Sequence, residues 1–92
     1  MPDQTRTSRN GQLFARNLDW NLVKLFLSIV RSGGISTAAR TLNKQQPTVS
    51  AGLKRLEEHV GATLFVRTAR GVALTPAGRT FLTAAEEIEV LI

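Results

Sequence analysis

The chain has 92 residues and no cysteine, so it makes one small domain without disulfides, thiolate metal sites or a cysteine nucleophile. Its formal charge of +5 is uneven: residues 19–75 hold eight Lys or Arg against Asp19, Glu57 and Glu58, while residues 76–92 set Arg79 against Glu86, Glu87 and Glu89. A basic body with an acidic end suits an anionic partner, nucleic acid first, although solubility alone also favours net charge. The lone His59 has no second imidazole with which to share a metal, no apolar run reaches membrane-spanning length, and a reducing cytoplasmic compartment fits.

Residues 1–18 are polar and aperiodic and read as a disordered basic tail, whose Arg6, Arg9 and Arg16 can reach a phosphate or a minor groove. Order is expected to begin at Asp19, a good N-cap. Leu22, Leu25, Phe26 and Ile29 follow at i, i+3, i+4 and i+7, the stripe of an amphipathic helix. Gly33 or Gly34 can end it in the left-handed conformation. A second helix is expected with Ser36 as N-cap and Ala38, Ala39 and Leu42 on one face. The paired alanines allow another helix to approach closely.

After a break at "NKQ", a third helix opens around Gln46 and Pro47, because proline suits a first turn where its missing N–H has no helical partner. Val49, Leu53, Leu56 and Val60 form its buried stripe, and Gly61 ends it. "TLFVRTARGVALT" changes period and predicts a two-stranded hairpin with "RTARG" at a basic tip. Thr75–Pro76 then signals a last helix whose apolar face holds Phe81, Leu82, Ala85 and Ile88. With no stop signal in its last turns, that helix is expected to continue in a larger protein.

The order helix, helix, helix, hairpin, helix is a mainly α winged helix-turn-helix: residues 19–75 form the body, and residues 76–92 start a linker or dimerisation helix. On the third helix the outward face carries Pro47, Ala51, Lys54 and Glu58, flanked by Thr48, Ser50 and Arg55. Small groups at its start let the helix sink into a major groove. Pro47, Ala51 and the Thr48 methyl can meet thymine methyls, and Gln45 or Gln46 can bond an adenine edge. Lys54 and Arg55 can bind phosphate, as can Arg67 and Arg70 of the wing, which can also reach a minor groove. Each has a plainer alternative. The glutamines can be solvated turn residues, Ser50 can bond its own backbone, and Lys54 can pair with Glu58 at i+4.

"GGISTAARTLNKQQPTVSAGLKRLEEHVGATLFVRTARGVALTPAG", with "LDWNLVKLFLSIV" before it, resembles the DNA-binding domain of LysR-type transcriptional regulators, from about Leu18 onward. The resemblance rests on several features in fixed order: the paired alanines, "QP" opening the third helix, the serine three residues later, "LEE", "LF" before Arg-Thr, and "LTPAG". It implies a winged helix-turn-helix that contacts double-stranded DNA, at an interrupted palindrome, through Ser36, Gln46, Pro47, Thr48, Ser50, Lys54, Arg67, Thr68 and Arg70. It further implies a homodimer through the last helix, with Phe81, Leu82, Ala85 and Ile88 as its contacts, and a small-molecule effector bound by a separate C-terminal domain, with no cofactor in this segment. The chain departs from the pattern at Lys44, Gln45, Ala51 and Gly52, where the family prefers an apolar residue, a capping serine, an arginine and a polar residue. A shifted target preference is expected.

No paired acid/base constellation, metal-ligand spacing or phosphate-binding glycine loop is present, so catalysis is not expected. The rival readings are a winged-helix regulator of the molybdate-responsive type, a winged helix used as a protein–protein module, and an enzyme whose catalytic part lies beyond Ile92. The lack of acidic residues on the first turns of the third helix favours DNA over a protein partner.

Overall fold

The computed structural model describes residues 19–91. The expectations for the tail, including Arg6, Arg9 and Arg16, lie outside those residues. Four helices and one hairpin follow in order: α1 (Trp20–Ser32), α2 (Ile35–Leu42), α3 (Gln46–Val60), β1 (Phe65–Thr68), β2 (Gly71–Leu74) and α4 (Pro76–Leu91). This is the mainly α winged helix-turn-helix expected from the sequence.

Helix α1 is the hub. Asp19 caps it by accepting the Asn21 amide at 2.9 Å, and Gly33 ends it in the left-handed region at φ 84°. Its stripe is wider than the four expected residues, because Val23 and Leu27 are buried as well. A helix packed against α2, α3 and α4 together needs apolar groups on more than one face. Phe26 is fully buried at the centre. Its ring meets Phe81 edge-on at a centroid distance of 4.8 Å and Phe65 at 5.2 Å, so one aromatic cluster joins α1, the wing and α4.

Helix α2 starts two residues earlier than expected, with its N-cap at position 34 rather than 36. Gly34 is its N-cap and offers no side chain, so Ser36 sits inside the first turn and its hydroxyl is left for another partner. Ala38 and Ala39 are both buried in the core. The break after α2 is made by Asn43, a left-handed residue at φ 57°, a conformation that asparagine tolerates. The amides of Asn43 and Lys44 close back onto Arg40 and Ala39, at 3.1 and 2.8 Å. Val49, Leu53 and Leu56 are buried as predicted, with Val60 packed partly against the core. Gly52 is buried too: a Cβ there would stand 2.6 Å from Leu25 Cδ1. The close approach that tolerates this glycine is that of α1, on the inner side of α3.

The wing is tighter than the "RTARG" tip suggests. Pairing runs from Phe65–Leu74 to Thr68–Gly71, which leaves Ala69 and Arg70 as a two-residue loop and puts Arg67 and Thr68 within β1. Thr68 Oγ1 accepts the Arg70 amide at 3.3 Å and shapes that loop. The base of the wing is tied to the α1–α2 turn, where the Val72 amide donates to the Gly33 carbonyl at 3.3 Å. Gly71 has φ 145°, and a Cβ on it would overlap the same carbonyl. A Gly71→Ala variant is therefore expected to lose about 1–3 kcal/mol in urea denaturation, from strain at the positive φ and from displacement of the wing.

Thr75 caps α4 as predicted. Its Oγ1 accepts the Gly78 amide at 2.9 Å while its hydroxyl donates to the Thr63 carbonyl at 2.6 Å. One expectation for α4 needs correction. Phe81 and Ala85, read as dimer contacts, are buried in the domain's own core, because the inner face of α4 packs on α1. Leu82 and Ile88 are half-buried, and Leu82 packs against that core; the open apolar groups are Val90 and Leu91. Glu89, on the outer side of α4, takes a two-pronged contact from Arg31 at 2.8 and 2.9 Å while staying partly exposed. That partner lowers the Glu89 carboxyl and raises the Arg31 guanidinium from their ordinary values.

Candidate nucleic-acid interface

The outer surface of α3 is separate from its buried one. Gln45, Gln46, Pro47, Thr48, Ala51, Lys54, Arg55 and Glu58 are exposed and Ser50 is half-exposed, while Val49, Gly52, Leu53 and Leu56 face inward. Pro47 lies in the first turn. Gln45 is the N-cap but makes no side-chain cap bond, so the departure from a capping serine leaves this helix start without a side-chain acceptor. Its dipole and amides are correspondingly open to an anion.

Gln46 is not a free solvated side chain. Ser36 Oγ donates to its Oε1 at 2.9 Å, linking α2 to the first residue of α3. The bond holds the amide oxygen on the α2 side and leaves the Nε2 hydrogens for an outside acceptor. A sequence alone does not reveal this bond, because the partners are ten residues apart on two helices whose crossing angle decides the contact. Lys54 and Glu58, by contrast, form no ion pair: the one among the described residues is Arg31–Glu89.

Grooves run along both sides of the exposed α3 ridge. On the wing side, a space of about 290 Å³ is lined by residues that include Ser50, Lys54, Glu57, Phe65 and Arg67. This brings Lys54 of α3 and Arg67 of β1 to one edge, with Arg70 exposed at the wing tip. On the α1 side, a space of about 330 Å³ is lined by Asp19, Lys24, Lys44, Thr48 and Arg55 among others. Lys24 and Lys44 were not among the predicted contacts, since their nearness to Arg55 arises only when α1 and the α2–α3 turn pack on α3. Glu57 turns one carboxylate oxygen to the Leu64 amide at 2.7 Å, which fixes the chain between α3 and the wing.

The ridge with a glutamine at its start, small side chains behind it and a wing beside it matches a known class of molecule. The family model described as "Bacterial regulatory helix-turn-helix protein, lysR family" matches residues 20–79. The chain belongs to the LysR family of regulatory helix-turn-helix proteins.

Among its LysR relatives are the HTH-type transcriptional regulator TfdT of Cupriavidus pinatubonensis, 41% identical over 70 residues, and the HTH-type transcriptional activator AllS of Klebsiella pneumoniae, 43% identical over 70 residues. Each match covers 76% of this chain but only 31% of TfdT and 26% of AllS, so the chain spans about a third or less of these relatives. Among solved structures, the CbnR DNA-binding domain in complex with DNA is similar at TM-score 0.76 and 32% identity, over 80% of this chain and 85% of that one. The BenM DNA-binding domain bound to benA site 1 DNA is similar at TM-score 0.74 and 29% identity, over 79% and 85%. Among the described residues there is no cluster of three or more His, Asp or Glu able to hold a metal, and no helix long and apolar enough to cross a membrane.

Proposed function

We propose that this LysR-family domain binds double-stranded DNA by seating the exposed face of α3 in the major groove, as the DNA-reading end of a transcriptional regulator. The observation that carries this reading is the ridge of α3 itself. Gln46, Pro47, Thr48 and Ala51 stand clear of the core at an uncapped helix start, with cations on either side. Small side chains let the helix backbone come near base edges, while Gln46 supplies a directional hydrogen-bonding group. Lys54, Arg55, Arg67 and Arg70 supply charge for phosphates, and Thr68 shapes the tip that carries Arg70. The similar CbnR and BenM domains are DNA complexes, which supports the same partner here.

The regulator acts as a homodimer joined through α4 and the chain that follows, so two copies of α3 meet two half-sites of an interrupted palindrome. With Phe81 and Ala85 inside each core, the joining surface centres on Leu82, Ile88, Val90 and Leu91. An effector-binding domain elsewhere in the full protein, with a small-molecule ligand, and a cytoplasmic location complete the reading. It assigns no catalytic role and no cofactor to this segment.

The test is selection of binding sites from a random duplex pool at two salt concentrations. Enrichment of a two-fold-symmetric motif is expected. Absence of binding even at low salt sinks the reading and favours a protein–protein role. A companion variant, Arg67→Ala, is expected to weaken binding to all duplexes alike and to reduce the slope of log affinity against log salt by about 0.9, as for one lost phosphate contact. A changed consensus with an unchanged slope would instead make Arg67 a base reader.

A further inference from the structure

We infer that Lys24, Lys44 and Arg55 form a second phosphate-binding edge, which grips the DNA strand on the side of the major groove opposite the wing; the inference rests on the DNA reading above. The three cations belong to three different segments: the first turns of α1, the α2–α3 turn, and α3. Folding brings them around one groove beside Thr48. All three are exposed, and none has an ion-pair partner among the described residues. Asp19 is the acid that shares the groove, and its carboxylate is engaged at the start of α1 by the Asn21 amide. The groove therefore keeps a positive excess.

Position on the helix gives this excess a purpose. Thr48, Gly52 and Arg55 lie at i, i+4 and i+7, along the side of α3 that faces α1. Ser50, Lys54 and Glu57 follow the same spacing along the side that faces the wing. The ridge of Pro47 and Ala51 runs between the two rows. A major groove is about 12 Å wide and is walled by phosphates of both strands, so a helix seated in it needs cations on both sides to be held centrally. Lys54 and Arg67 serve one wall. On the other, Arg55 acts with Lys24 and Lys44, and Gly52 lets α1 lie close enough to α3 for Lys24 to join the same edge. The edge carries no base information. It fixes the rotation of α3 about its own axis, and so which of its side chains point at the bases.

The experiment uses a duplex enriched by the wild-type protein in the selection above. The variant is Lys24→Gln/Lys44→Gln, its fold checked by thermal melting. The slope of log affinity against log salt is expected to fall by about 0.9 for each lysine removed. Neutral methylphosphonates are then placed at single phosphates along both strands. With wild-type protein, the sensitive phosphates are expected in two sets on opposite strands across the groove. With the double variant, the set opposite the wing shrinks to the phosphate that Arg55 still meets, and the set on the wing side keeps its full effect. A wild-type slope in the double variant, or survival of both sets in full, overturns the second edge while leaving DNA binding intact. Failure of the wild-type protein to bind any duplex is a different result and removes the DNA reading together with this inference.

Discussion

A Phe26→Ala variant is expected to lose about 3–5 kcal/mol of folding stability in urea or thermal denaturation. Phe26 has no exposed surface, and its ring is shared by Phe65 of the wing and Phe81 of α4. Truncation removes most of a buried aromatic side chain and two ring contacts at once. The cavity left behind cannot close easily, because its walls are three separate elements, each held by other contacts. Domains of this size hold only about 5–15 kcal/mol in all, so the variant sits near the edge of folding. Phe26→Leu fills part of the space and should lose clearly less. The expected signature is a melting temperature lower by well over 10 °C for the alanine variant, at roughly 4–8 °C per kcal/mol. A loss below about 1 kcal/mol would show that the cluster is not the keystone of the core.

The second large effect concerns recognition. Gln46→Ala is expected to lower discrimination at one base position by about 1–3 kcal/mol, roughly 5- to 150-fold, while total affinity for unrelated duplexes changes little. Ser36→Ala tests how the glutamine is held. With its Oε1 engaged by the serine hydroxyl, Gln46 presents its amide hydrogens outward, which suits an acceptor edge such as guanine N7 and O6 or thymine O4. The adenine edge expected from the sequence stays open too, because the amide oxygen has a second lone pair that can accept from adenine N6. Removing the hydroxyl frees the amide to turn, so Ser36→Ala should broaden the preference at the same base position as Gln46→Ala, and the double variant should add little. Independent, additive effects of the two changes would mean that Ser36 acts on DNA without the glutamine.

Much of this was legible in the sequence, for reasons that differ along the chain. The stripes of α1 and α3, the glycine stops and the Thr75 cap depend on neighbours within a few residues, so spacing suffices to find them. Ser36 was misplaced because a helix start is set by backbone geometry, and Gly34 could adopt it without a capping side chain. The wing was expected to have a longer tip, since strand pairing rather than composition decides where a hairpin turns. Phe81 and Ala85 show a deeper limit. An apolar stripe has the same spacing whether it faces its own core or a second chain, and only the position of α1 distinguishes the two. The Arg31–Glu89 contact joins residues 58 apart, and the Lys24–Lys44–Arg55 groove joins three elements. Local pattern carries no trace of either.

The two sides of α3 answer to different demands. Val49, Gly52, Leu53 and Leu56 serve the core, whereas Thr48 and Ala51, past the helix start, bury little of themselves in it. Exposed changes away from caps and packing usually alter stability by no more than about 0.5 kcal/mol. The outer row can therefore drift while the inner row stays fixed. A gene copy that duplicates this domain would be free to explore new operators through a few codons, with its folding left intact, and Ala51 marks a position where that exploration has room for a longer side chain.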